Sequence, residues 1–325
     1  MKNKTITFGC TLLNEEDNIE TFLNSITEQS IKPQEIVIVD GGSTDRTLEI
    51  IKRIQKESKV PIKVVVSKGA NIAKGRNIYT RLAKSDLLFS GDASTRFEKD
   101  WIKKLLKGFE AGGDVVFGTY VPEEPKTIFD KVVNTRVRDY SKYSEEDWAK
   151  EEPSNRQAAY KMSSWKKVGK FPEWMNRADD AWIYEKAKKM GLKFVPVKDA
   201  KVYWKPRKSL KEYVNLAYQD SLSDGIAVNI ILRRKIYFAE IFVALFFVFS
   251  VIYSFFNRIF GFIAMGIVLA IFLAYALKTS LKSKEIIVCI YAGIISVLLF
   301  FAHSFGAIIG LIIKLIRLIK REKNR

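Results

Sequence analysis

The chain has 325 residues, 48% of them hydrophobic, and carries 54 Lys and Arg against 36 Asp and Glu, a formal net charge of +18. That length holds a full domain and a second region, and no groove-reading module accompanies the positive charge, which counts against nucleic acid and for anionic lipid headgroups and phosphorylated substrates. Two cysteines, Cys10 and Cys289, exclude a disulfide framework or a Cys-ligated zinc site and fit a reducing compartment.

Residues 1–13 hold no apolar core long enough for a secretory signal, so the soluble part is expected to stay in the cytoplasm. Residues 5–11 read as a strand, with Asn14 as the cap of a helix whose Ile19, Phe22, Leu23 and Ile26 recur at helical spacing. Residues 35–40 make a second strand that runs into Asp40-Gly41-Gly42-Ser43-Thr44-Asp45, followed by a helix with Leu48, Ile51 and Ile54 inward. A third strand is expected at 62–67, then a helix over 71–83 that carries Arg76. Residues 87–90 read as a short strand buried on both faces, delivering Gly91 and Asp92 at its carboxyl end. In open α/β sheets that end borders the ligand crevice, so Asp92 is expected to face a phosphate-bearing ligand through a metal; alternatively Ser94 or Thr95 simply caps the next turn.

A helix over 100–111 and an apolar run at 115–118 follow, then a polar stretch, 121–153, with several prolines, expected to pass over the site. Residues 158–161 read as a strand and 163–168 as a short helix. Asp179 and Asp180 open a further helix that ends at Gly191, where two acids are either favourable charges on the helix dipole or functional groups, and 193–197 returns as a strand. This alternation predicts an α/β fold with a mostly parallel sheet and helices on both faces. Neither the three-glycine dinucleotide fingerprint nor a Gly-Lys-Ser/Thr phosphate loop is present, so carboxylates are left to hold a nucleotide.

Beyond Tyr203-Trp204-Lys205-Pro206-Arg207, whose aromatics and cations suit a headgroup interface, comes an amphipathic stretch, 210–222, and then Arg233-Arg234-Lys235. Residues 237–256 and 259–277 each have the length of a bilayer crossing, joined at Asn257-Arg258 as a hairpin. The apolar run 286–316 exceeds one span, and keeping Lys314, Arg317, Lys320 and Arg321 inside predicts a crossing over 286–301 followed by a re-entrant or short fourth segment. His303, the single histidine, lacks partners for a metal site and reads as a helix-packing residue. The expected organisation is a cytoplasmic soluble domain over 1–207, an interfacial segment over 208–236, transmembrane helices over 237–316 and a basic tail over 317–325, in a multi-pass protein of the cell membrane.

Four blocks, Val37-Ile38-Val39-Asp40-Gly41-Gly42-Ser43-Thr44-Asp45, Gly75-Arg76-Asn77, Gly91-Asp92-Ala93-Ser94 and Ala178-Asp179-Asp180, stand in the order and spacing of the family 2 glycosyltransferases, which the chain resembles over residues 5–207. The resemblance implies a GT-A fold and transfer with inversion. By it Asp40 contacts the base or ribose of a UDP- or GDP-linked sugar donor, Arg76 lies near the base or diphosphate, and Asp92 belongs to an Asp-x-Asp element that holds ribose and Mg²⁺ or Mn²⁺. Here the third position of that element is Ser94, a poorer metal partner, so Asp92 and Ser94 form an altered metal pair. Asp180 is the expected base that deprotonates an acceptor hydroxyl, with Asp179 orienting the acceptor or raising the basicity of its neighbour.

The retained acid pair favours a hydroxyl of a lipid-linked saccharide or glycolipid over a polyprenyl phosphate, whose attacking oxygen is already ionised. The Gln-x-x-Arg-Trp block of processive synthases is absent. Ser94 keeps one reading of another class open, a catalytically silent scaffold that binds nucleotide sugars at a membrane.

Overall fold

A computed structural model of the chain describes residues 4–136, 144, 153–204, 209–226, 235–280 and 285–323. Two compact units emerge, one of residues 1–123 with 139–205, the other of residues 124–138 with 206–325. The strands, all in the first unit, are β1 (Ile6–Leu12), β2 (Glu35–Asp40), β3 (Ile62–Val66), β4 (Leu87–Ser90), β5 (Thr95–Phe97), β6 (Val115–Pro122), β7 (Ala158–Lys161) and β8 (Phe194–Trp204). The same unit holds helices α1 (Ile19–Thr27), α2 (Thr47–Glu57), α3 (Ile72–Leu82) and α4 (Trp101–Glu110). The second unit contains α5 (Ile128–Arg136), and the first resumes with α6 (Met162–Val168) and α7 (Asp179–Lys189).

The strands pair in the order β3-β2-β1-β4-β7-β6-β8-β5. β1 pairs in parallel with β2 and β4, β2 with β3, and β6 with β8, whereas β7 and β5 run against their neighbours. The sheet is therefore mixed where the alternation predicts a mostly parallel one, because an apolar run such as Ala158–Lys161 carries no mark of its direction. Alternation splits β2 cleanly: Ile36 and Ile38 join Phe8, Phe22, Phe89 and Trp101 on the face covered by α1, α2 and α4, while Val37 and Val39 join Tyr79, Tyr160, Trp165 and Tyr184 on the other. Each such side chain contributes about 1.5–3 kcal/mol on burial, enough to hold the strand ends in fixed register.

Several expectations shift. Asn14 does not cap α1, which begins at Ile19 after Asn18; it adopts φ +54° and serves the loop after β2 instead. Neither Ser94 nor Thr95 caps a helix, since Thr95 opens β5 and its hydroxyl donates to the Asp92 carbonyl oxygen at 2.6 Å. Tyr203 and Trp204 finish β8 as sheet residues, with Trp204 buried, so they are not interface aromatics; Lys205, Pro206 and Arg207 lie outside the described residues. Of the stretch expected over the site, α5 packs within the second unit, with Val132 buried beside Val288, Ala292 and Ile295, and residues 137–143 and 145–152 lie outside the described residues.

The remainder of the second unit is helical: α8 (Leu210–Ile226), α9 (Lys235–Tyr253), α10 (Arg258–Ser280) and α11 (Ile286–Lys323). α9 and α10 are joined by a short turn that ends at Asn257, whose side-chain oxygen accepts from the Phe260 amide at 3.1 Å. The break expected after Phe301 does not occur. α11 is one 38-residue helix, about 57 Å at the α-helical rise and so longer than a bilayer core. Glycines let α8 lie directly on it: a Cβ on Gly225 would stand 2.4 Å from the Ala307 carbonyl oxygen, and one on Gly306 2.4 Å from that of Tyr218.

Candidate active site

β2 and β4 flank β1 and run parallel to it, so Asp40 and the Gly91-Asp92 pair leave the sheet at one edge, two strand spacings or about 10 Å apart. Asp40 is fully buried, and its carboxylate accepts from the Gly42 amide at 2.8 Å, the Ser43 amide at 2.8 Å and the Ser43 hydroxyl at 2.5 Å. It therefore folds its own loop, with Gly42 at φ +102°, a conformation that glycine tolerates without strain. Asn14 braces that loop from β1: its side-chain oxygen accepts from the Thr44 amide at 2.9 Å while its own amide donates to the Ser43 hydroxyl.

Arg76 is the centre of the acidic cluster. α3 can approach the sheet because residue 75 is glycine; a Cβ there would stand 2.1 Å from the Thr11 hydroxyl oxygen. Arg76, 5% exposed, donates from Nη1 to Asp179 Oδ2 at 2.8 Å and has Nη2 3.7 Å from Asp92 Oδ1. The next residue, Asn77, donates to the Phe171 carbonyl oxygen and to Glu173, and accepts from the Phe171 amide. Asn71, the cap of α3, donates to the Glu173 carbonyl oxygen at 2.7 Å. One helix thus fixes the segment that leads into Asp179 and Asp180. Ala178 turns that segment at φ +59°; it and Asn14 are the two non-glycine residues at positive φ among those described, and both border this site. Such strain persists where surrounding contacts impose it, which is common at functional sites.

Asp180, half-buried, receives the Asn155 amide at 3.2 Å, the Ala181 amide at 2.9 Å and the Ser154 hydroxyl at 3.4 Å. Asn155 is itself locked from below. Ser90, ending β4, donates to its carbonyl oxygen at 2.6 Å, its side-chain nitrogen donates to the Tyr79 hydroxyl at 3.0 Å, and its side-chain oxygen accepts from the Tyr160 hydroxyl. Arg156 follows, with its Nε 3.6 Å from Asp92 Oδ2 and its guanidinium flanked by the rings of Tyr120 and Trp204, 5.4 and 5.5 Å from their centroids.

Burial, the largest influence on Asp179, lifts its carboxyl above the ordinary value against the pull of Arg76. Burial also lifts Asp180, but there Arg76, the Asn155 amide, Arg156 and the Ala181 amide outweigh it and hold the carboxyl below the ordinary value. The like charge of Asp180 adds to the rise of Asp179, and the pair's second acid is the one held below the ordinary value. Desolvation works against the charge of Arg76, yet Asp179, Asp180 and Asp92 together raise it well above its usual value. An ionised carboxylate and a permanent cation thus share one small volume with Asp92.

A family model described as Glycosyl transferase family 2 matches residues 10–169, which include three of the four motif blocks. This chain contains a family 2 glycosyltransferase domain. Among curated relatives, a poly-beta-1,6-N-acetyl-D-glucosamine synthase of Staphylococcus aureus is 30% identical over 105 residues, 32% of this chain and 25% of the relative. The match thus spans a quarter of that protein's length. Among solved structures, the mannosyltransferase PcManGT from Pyrobaculum calidifontis, in complex with GDP-Man and Mn²⁺, aligns with a TM-score of 0.61 at 18% identity, over 94% of this chain and 87% of that one. S. aureus TarS 1-349 in complex with UDP-GlcNAc aligns with a TM-score of 0.50 at 16% identity, over 93% and 90%. These two likenesses show a GT-A-like fold.

The family 2 domain offers a metal a poor donor set. Among the described residues no three His, Cys, Asp or Glu are placed so that together they could hold a metal ion. The carboxylate of the altered element, Asp92, already stands between two guanidinium groups, and Ser94 adds only a hydroxyl. Sequence reasoning missed Asn77 as a brace and Arg156 and Asn155 altogether. Asn77 lay inside a quoted block, whereas Arg156 sits in a single 3₁₀ turn without periodicity, after the polar stretch.

Proposed function

We propose that the chain is an inverting glycosyltransferase that moves a sugar from a nucleoside-diphosphate donor to a hydroxyl of a lipid-linked saccharide or glycolipid. The observation that carries this is the convergence of Arg76, Asp92, Asp179 and Asp180, from three separate segments, at the carboxyl edge of β1, β2 and β4. In this reading the loop shaped by Asp40 cradles the nucleotide, and Asp92 and Arg76 lie against the ribose and diphosphate. Asp40 acts through its loop, its carboxylate being occupied by Gly42 and Ser43.

The acceptor oxygen attacks the anomeric carbon from the face opposite the diphosphate. A carbon–oxygen bond forms there, the bond from carbon to the phosphate oxygen breaks, its electron pair leaves with the nucleoside diphosphate, and the hydroxyl proton passes to Asp180. Asp179 holds Arg76 in place through the 2.8 Å pair, and so acts as a positioning residue. PcManGT is named with GDP-Man and Mn²⁺ and TarS with UDP-GlcNAc, which supports a nucleotide-sugar donor here. The Mg²⁺ or Mn²⁺ expected at Asp92 and Ser94 lacks a matching donor set, and no step above passes through it.

The membrane reading rests on the helices. Within α11, the span Ile286–Ile319 is long and apolar enough to cross a bilayer. α9 and α10 also leave large apolar side chains uncovered, Phe242, Phe249 and Phe262 among them, and Phe255 in the turn between the two helices is 84% exposed. Apolar surface on this scale suits lipid, so we read these helices as a multi-pass anchor and the acceptor as a molecule held in the same bilayer.

The full chain in detergent, given a panel of UDP- and GDP-sugars and a membrane lipid extract, tests this. Release of UDP or GDP that requires the extract is expected. No release from any donor would overturn the enzyme reading and leave a nucleotide-sugar-binding scaffold.

A further inference from the structure

We infer that Arg156 and Arg76 together grip the donor's diphosphate, and that this pair of guanidinium groups takes the place of a protein-held metal ion. The inference rests on the donor reading above. Each oxygen of Asp92 faces a different guanidinium, Oδ1 at 3.7 Å from Arg76 Nη2 and Oδ2 at 3.6 Å from Arg156 Nε. Both separations exceed hydrogen-bond length, so one carboxylate stands between two cations without closing a bond to either. The other acids of the cluster are engaged: Asp179 with Arg76 Nη1, Asp180 with Asn155, Ser154 and Ala181.

The Nε–H groups of Arg76 and of Arg156 are both buried, and neither has a hydrogen-bond acceptor among the described residues. A buried charged donor without an acceptor is costly, and two of them on the guanidinium groups that flank one carboxylate call for an anion with more oxygens than a carboxylate has. A diphosphate supplies them, and guanidinium forks match phosphate edges. The Arg156 group is held for this by Tyr120 and Trp204, and the turn that carries it by Ser90, whose hydroxyl donates to the carbonyl oxygens of Asn155 and Ala158. Ser94, which removes the second carboxylate of the metal element, is the substitution such an arrangement tolerates. With three acids to two arginines the ionised cluster favours a cation by net charge alone, so the role of Asp92 decides between the two arrangements. Under the guanidinium grip Asp92 competes with the diphosphate; under metal binding it is required.

Calorimetry on the full chain in detergent separates them. In EDTA, UDP or GDP is expected to bind, with an affinity that changes by less than about threefold when Mn²⁺ replaces the chelator. Arg156→Gln, melting within a few degrees of the parent, should weaken inorganic pyrophosphate and the nucleoside diphosphate by about tenfold or more, the worth of one charge-assisted hydrogen bond, with Arg156→Lys recovering only part. Asp92→Asn, which removes the competing charge, should bind pyrophosphate in EDTA more tightly than the parent. Binding that needs Mn²⁺, vanishes in Asp92→Asn and survives Arg156→Gln would overturn the inference while keeping the donor reading. Binding of none of these probes, with or without Mn²⁺, would overturn both.

Discussion

Asp180 draws its character from neighbours that arrive separately: two backbone amides, the Arg76 guanidinium and Arg156. Asp180→Asn keeps the shape and removes the proton acceptor. It is expected to leave UDP or GDP binding within about twofold while lowering transfer to a hydroxyl acceptor by about 10²–10⁴, the usual worth of a general base. Undiminished transfer would remove Asp180 from that role and revive a phosphate acceptor. Because its carboxyl lies below the ordinary value, the acid limb of the rate should fall below about pH 4, where ordinary Asp side chains titrate. By linkage, its ion and hydrogen-bond partners stabilise the fold above the unfolded-chain value, a contribution lost as pH falls through the lowered one, and Asp179, being raised, works in the opposite sense. Arg76, Asp179 and Asp180 were each legible as a letter in a motif, whereas Asn155 and Arg156 were not. The pairing of the first two was not legible, since Arg76 and Asp179 stand 103 positions apart and neither carries a mark of the other.

At the level of the element, α3 does the positioning. Its three-residue block divides the work: Gly75 allows close approach to Thr11, Arg76 collects the acids, and Asn77 pins the Phe171–Glu173 backbone. Gly75→Ala would put a methyl group 2.1 Å from the Thr11 oxygen. A loss of about 1–3 kcal/mol is expected, as for other overpacked cores, with a lower melting temperature and weaker nucleotide binding measured together. An unchanged melting temperature would show that the helix is not seated as described. Helices and central strands were readable because amphipathic spacing and apolar runs set them. β5 was not, because its three residues follow the polar Asp92-Ala93-Ser94 turn and only pairing with β8 makes them a strand. β8 runs to Trp204 through Lys198, Asp199 and Lys201, charges that broke the apolar pattern and shortened the expected strand.

For the molecule as a whole, an α/β unit and a helical unit divide near residue 206, ahead of the change to near-continuous apolar sequence at Tyr237, with one exception. α5 lies early in the chain yet belongs to the helical unit, and its mixed sequence gave no sign of that allegiance. α11 was expected to break because a full third crossing would carry its basic end to the outer side, against the positive-inside rule; instead it continues as one helix through Lys314 and Arg317. In the proposed reaction, donor and base act on opposite faces of one sugar carbon in a single displacement. NMR of the purified lipid product tests this, by comparing the anomeric coupling of the transferred sugar with that of the donor consumed. The opposite anomeric configuration is expected in the product, and retention of the donor's configuration would contradict a single displacement.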